Sequence, residues 1–155
     1  MPFITATVPP DVAEYLADLD EDRRAVCAAL YSEITDRLGR TCEAVVRYGM
    51  ISWVLPPTVF APGYEGDPDT PLPFISLASQ RSGVTIYHLG LYQDERIGEW
   101  FRTQYARVQP GRVVDVGTTS LRFADAEHVP VELIGELAAR VRPVDLICGA
   151  AAREA

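Results

Sequence analysis

A chain of 155 residues, 48% of them apolar, has room for one domain with a real core and is too apolar to stay disordered. Its 22 acidic residues outweigh 14 basic ones, all of them Arg, for a formal charge of −8. That balance argues against nucleic-acid backbones and anionic membrane surfaces, which need many cationic contacts, and its plain consequence is solubility.

The N-terminal MPFITATVPPDV has no basic segment or long apolar run, so no signal peptide is expected. No stretch reaches the length needed to span a bilayer. Cys27, Cys42 and Cys148 lie far apart, a spacing that suits reduced thiols and a cytoplasmic location rather than a disulfide framework.

In chain order, residues 1–9 read as extended. A short helix starts near Asp11, with Val12, Tyr15, Leu16 and Leu19 as its apolar stripe. Asp20 is placed to cap a longer helix in which Val26, Leu30, Ile34 and Leu38 recur every four residues, joined by Cys27 and Tyr31, and Gly39 ends it. Residues 44–55 are strand-like, with a bulge or break at Gly49 between two short strands. Residues 56–73 hold half of the 12 prolines and read as a long loop of the kind used as a lid or binding segment, anchored by Phe60 and Tyr64.

Residues 72–92 then read as a β-hairpin turning at Gln80-Arg81-Ser82-Gly83. Ile75, Leu77, Val84, Ile86 and His88 fall on one, almost wholly aliphatic, face. Phe74, Ser76, Ala78, Gln80, Thr85, Tyr87, Leu89 and Leu91 fall on a mixed face suited to a pocket wall or a subunit interface. Asp94 caps a helix with Ile97, Trp100, Phe101, Tyr105 and Val108 inward, ended by Gln109-Pro110-Gly111. A second hairpin pairs residues 113–116 with 121–123, setting Asp115 opposite Arg122 and Val114, Val116, Leu121 and Phe123 on the other face. Pro130 opens a helix with Ile134, Leu137, Ala138 and Val141 inward. Pro143 breaks it, residues 144–148 add a helical turn or two, and 150–155 form a frayed tail. Short connections between successive strands imply a mostly antiparallel sheet with helices on one face. The expected fold class is α+β, a two-layer single domain over 1–155 with its core at about 11–148.

Three segments, Tyr48-Gly49-Met50-Ile51-Ser52-Trp53, Pro71-Leu72-Pro73-Phe74 and Ile86-Tyr87-His88-Leu89-Gly90-Leu91-Tyr92, resemble the YdhG-like family, domain of unknown function 1801. Glu99-Trp100-Phe101, Asp115-Val116-Gly117, Leu121-Arg122-Phe123 and Leu133-Ile134-Gly135-Glu136-Leu137 continue the series, which runs in order from about Asp11 to Ile147. The resemblance implies a small α/β domain with an antiparallel sheet, similar to secretion-chaperone-like folds. One branch is described as an intracellular iron chaperone with a frataxin-like role. The family usually carries a lysine after the glycine of the second hairpin, where this chain has Thr118.

No motif points to catalysis: there is no G-x-S-x-G elbow, no phosphate-cradling glycine loop and no HxxE or HxH pair. His88 reads as a packed core histidine, and Asp11, Glu14, Asp18, Asp20, Glu21 and Asp22 as a solvated, helix-capping ridge whose oxygens are the kind that iron favours. Arg47 and Arg122 are charges inside strands. Arg122 has Asp115 as a partner, whereas Arg47 has none evident in the sequence. Arg47, Tyr48, Trp53, Tyr64, Tyr87, Tyr92 and Arg122 are the candidate ligand-binding residues, an aromatic pocket with charged anchors beneath the 56–73 loop. The expectation is a non-enzymatic small-ligand domain. Its alternatives are a homodimeric module using the same face and an iron chaperone, and the residues name no cofactor.

Overall fold

The computed structural model describes residues 8–143, over which the chain runs α1 (Pro10–Ala17), α2 (Glu21–Leu38), β1 (Glu43–Arg47), β2 (Met50–Leu55), β3 (Leu72–Gln80), β4 (Gly83–His88), α3 (Leu89–Gln93), α4 (Glu95–Val108), β5 (Asp115–Val116), β6 (Ser120–Phe123) and α5 (Val131–Arg140). The six strands form one open sheet in the order β1-β2-β3-β4-β6-β5, every neighbouring pair antiparallel. This is an α+β fold. Among the described residues no helix is long and apolar enough to cross a membrane.

Register divides the sheet into two sides. Ile75 pairs with His88, Leu77 with Ile86, and Ile51 with Leu77, which places the aliphatic residues together. Ser76 pairs with Tyr87 and Ser52 with Ser76, which gathers the small hydroxyl-bearing residues on the reverse. Ile51, Ile75, Leu77, Val84, Ile86 and Leu121 are buried under the helices. Each contributes roughly 1.5–3 kcal/mol by leaving water, so this face decides which side the helices cover. The ring of α2's Tyr31 stacks on Trp53 at 5.9 Å, and Trp53 Nε1 donates to Thr35 Oγ1 at 3.1 Å. At the far end of the same side, Phe101 and Tyr105 of α4 pack on Phe123. Leu133, Ile134, Leu137 and Ala138 of α5 complete the core.

Helix ends follow local chemistry. Asp94 accepts from the Arg96 amide at 3.0 Å to start α4, and Gly39 ends α2 at a φ of +61°. Asp20 occupies the N-cap position of α2 but makes no side-chain cap bond. Arg24 instead ties α1 to α2 by donating to the carbonyls of Leu16, Ala17 and Leu19.

Several expectations are corrected. β4 stops at His88, so Leu89 and Leu91 belong to α3 rather than to the mixed sheet face, and Leu91 is buried in the core. The reason is a local cap: His88 Nδ1 accepts the Gly90 amide at 2.9 Å and turns the chain into helix. Val108 is exposed at the end of α4 rather than inward, and the strand expected over 113–116 is only Asp115–Val116. The proline-rich loop ends at residue 71; the break expected at Gly49 is present, as the tip of a tight hairpin between the two short strands β1 and β2. The readings of residues 1–7 and 144–155 lie outside the described residues.

Two glycines separate two costs. Gly49 sits at a φ of +73° with open space around its α-carbon, whereas at Gly83, with a φ of +141°, an added Cβ would overlap the carbonyl oxygen of Phe123 in the neighbouring strand. Gly49→Ala is expected to cost about 1 kcal/mol of conformational energy alone. Gly83→Ala should cost at least twice as much, because β4 must move away from β6. Urea midpoints of the two variants measure the difference.

Candidate functional site

The reverse side of the sheet, where small residues meet a border of large ones, forms a recess of 250 Å³. Its floor holds Ser52 and Ser76, adjacent residues of β2 and β3 whose hydroxyls share a buried hydrogen bond of 2.9 Å. Phe74, Tyr87 and Met50 supply apolar walls. The recess continues past the end of β4, where His88, Leu89 and Thr119 line it. Among the described residues, Arg47, at the end of β1, is its only charged lining residue.

The 56–71 loop closes one side through Tyr64 and Thr70. The loop is tied together rather than open: the Tyr64 amide donates to the Thr70 carbonyl at 2.7 Å, and the Asp67 amide to the Tyr64 carbonyl at 3.0 Å. The Asp67 carboxylate accepts from the Thr70 hydroxyl at 2.8 Å and the Asp69 amide at 3.0 Å. These two bonds, the hydroxyl's first, hold its carboxyl below the usual carboxylate range. Phe60 packs against the core and Tyr64 is left half-exposed at the mouth.

Of the seven candidate residues, Arg47, Tyr48, Tyr64 and Tyr87 border this recess. The other three do not. Trp53 is 1% exposed on the helix side, stacked on Tyr31, because its register partner Ile75 belongs to the aliphatic face. Tyr92 projects from α3 at 64% exposure, since the chain has left the sheet by that point. Arg122 is exposed on β6 opposite Asp115 and borders a separate hollow with Arg112, Asp125 and His128. Ser52, Phe74 and Ser76 are not among the seven candidates, although the sequence put Phe74 and Ser76 on the mixed face of the hairpin. The period-two alternation that flagged Tyr87 carries two of them, because Ser76 is the register partner of Tyr87 and Phe74 lies two residues before it.

His88 is the most unusual group here. It is 1% exposed, its ring meets Phe74 edge-on at 5.0 Å, and its Nε2 has no hydrogen-bond partner among the described residues. Because Nδ1 accepts from the Gly90 amide, the neutral ring carries its proton on Nε2. Burial pushes its pKa down to about 3, so it is uncharged throughout the physiological range. Gly90 allows the approach: a Cβ there would sit 3.0 Å from His88 Cε1.

Elsewhere the chemistry is quiet. Burial pushes the Cys27 thiol up to about 11 and Cys42 up to about 12, which keeps both protonated near neutrality. Among the described residues, no three or more His, Cys, Asp or Glu side chains converge where a metal could sit. Asp11 of the acidic ridge is used structurally, accepting from the amides of Val12 and Val46 and so fastening α1 to β1.

Together these features define an α+β domain with one sheet face under helices and a lined recess on the other. No family model, curated protein or solved structure matches the chain.

Two measurements check this geometry. The unfolded chain protonates His88 near pH 6.5, whereas the folded chain resists until about pH 3. Stability from this group is therefore intact above 6.5 and falls by about 1.4 kcal/mol per unit below it. By pH 5 the wild type should lose about 2 kcal/mol that His88→Asn, which keeps an acceptor for the Gly90 amide, does not lose. Urea titrations at pH 7.5 and 5 give the comparison. Asp67→Ala should speed protease cleavage within residues 56–71 several-fold at neutral pH and leave the urea midpoint nearly unmoved.

Proposed function

We propose that this domain binds a small organic molecule, without chemical conversion, in the recess between the reverse side of its sheet and the 56–71 loop. One observation carries the reading. Arg47 on β1, Tyr48 in the hairpin turn, Tyr64 in the proline-rich loop and Tyr87 on β4 are far apart in sequence and border a single 250 Å³ hollow. Apolar walls with few polar anchors are what small-molecule sites use, and aromatic rings supply area at small entropic cost.

The fold agrees with what the YdhG-like resemblance implies, an antiparallel sheet in a small α/β domain, and that membership forms part of this reading. The frataxin-like iron role draws no support from the placement of the acidic ridge, where Asp11 fastens α1 to β1 and Asp18, Asp20 and Asp22 share a wide hollow with Arg23 and Arg81. The homodimeric alternative draws on Tyr48 and Tyr92, which are 86% and 64% exposed.

A thermal-shift screen of metabolites against the wild type and Arg47→Ala tests the proposal. Anionic compounds should raise the wild-type midpoint by several degrees and the variant by less than half as much, with light scattering showing a monomer throughout. Equal shifts in both proteins remove Arg47 as an anchor. No shift from any compound overturns the binding function.

A further inference from the structure

Resting on that binding reading, we propose that the ligand is a small monocarboxylic acid with an otherwise apolar body, and that Arg47 and Ser52 hold its carboxylate together. The Arg47 guanidinium supplies the counter-charge. The Ser52 hydroxyl, oriented by Ser76, supplies one further hydrogen.

A count of hydrogens in the floor leads there. Ser52 and Ser76 are 3% and 5% exposed, and their hydroxyl oxygens stand 2.9 Å apart. Two hydroxyls carry two donor hydrogens, and the bond between them uses one. Among the described residues no third group accepts from either oxygen, so one hydrogen is left over. A buried donor without an acceptor is costly, and a ligand oxygen that accepts it removes the cost. Register puts both side chains on the reverse side of the sheet, since Ser76 lies opposite Tyr87 and Ser52 opposite Ser76, and both line the recess.

Arg47 stands beside that hydrogen. It pairs with Met50, and Ser52 lies two residues further along the same face of β2. Such diagonal neighbours are about 7–8 Å apart, a gap that an extended arginine side chain spans. Arg47 is half-buried and, among the described residues, has no ion pair or hydrogen bond of its own. Its planar fork matches the two oxygens of a carboxylate, which keep lone pairs for a hydroxyl hydrogen as well. Ser52, on the strand next to β1, is the nearer serine to Arg47. The order that serves the carboxylate is therefore Ser76 donating to Ser52, and Ser52 to the ligand.

The rest of the ligand follows from the remaining lining. Among the described residues it holds no charge besides Arg47, so a dianion would bury one charge uncompensated and an amino acid's ammonium would meet no carboxylate. Beyond the serines, Phe74, Tyr87 and Met50 present apolar surface, which suits a hydrocarbon body. At 250 Å³ the space lies below the ~300–1,000 Å³ of drug-sized sites, and a body of about one ring fits that limit.

The test uses the full chain and three probes of similar shape: 4-methylbenzoate, its uncharged amide 4-methylbenzamide, and terephthalate, which carries a second carboxylate. Calorimetry on the wild type, which needs no variant to fold, should give at least tenfold tighter binding of 4-methylbenzoate than of either other probe. Arg47→Gln should erase the preference for the acid over the amide. Ser52→Ala and Ser76→Ala break the same hydrogen bond, so their urea midpoints should match and affinity alone should separate them. Ser52→Ala should weaken 4-methylbenzoate about tenfold, as loss of a hydrogen bond to a charged group implies, and Ser76→Ala no more than about threefold. Equal losses in the two serine variants, or the larger loss in Ser76→Ala, overturn the role of Ser52 while leaving ligand binding in the recess standing. Equal wild-type affinity for the acid and either comparator, or failure of all three probes to bind, overturns the ligand class. The binding reading itself then stands or falls on the metabolite screen.

Discussion

The pairing of β3 with β4 at the centre of the sheet is the constraint on which the remaining features depend. Ile75 opposite His88 and Leu77 opposite Ile86 put a solid aliphatic surface on one side, and Ser76 opposite Tyr87 puts small and polar groups on the other. A slip of one residue would send the aliphatic set into water and the serines under α2, at a cost of several buried side chains of about 1.5–3 kcal/mol each. No local preference in the chain competes with that. The division of the two faces is therefore enough to specify this register.

The recess is a by-product of the same division. Small side chains at Ser52 and Ser76 leave the middle of the reverse face low, while Tyr87, Phe74 and Met50 stand above it. The hydrogen bond between the two serine hydroxyls satisfies a polar floor that would otherwise be costly to cover. Phe60 holds the 56–71 loop against the core, and Asp67 shapes its tip, so Tyr64 and Thr70 reach the hollow from a fixed position. His88 joins the sheet to the helical layer, since its Nδ1 caps α3 at the end of β4.

Much of this was legible in the residues. Period-two alternation located the hairpin and the composition of both its faces, four-residue spacing located α2, and Asp94 located the start of α4. The prolines located the loop. The errors share one cause: an aromatic or charged residue in a strand announces a face only if the strand's length and bulges are known. Trp53 counted as a pocket residue until its pairing with Ile75 put it under the helices, next to an irregularity between Trp53 and Val54. Tyr92 and Leu91 left the sheet because a histidine side chain, rather than a glycine or proline, ended β4.

The residues by themselves determined the class of fold, the helical layer's contact surface and the acidic, lysine-free exterior, because each follows from local periodicity and composition that no distant contact can reverse. Only the tertiary structure decided which aromatic rings share a hollow, that Arg47 is its sole charge among the described residues, and that His88 is buried and caps α3. Those facts depend on side chains from four separated segments meeting across strands, and such meetings are set by register and burial rather than by any spacing along the chain.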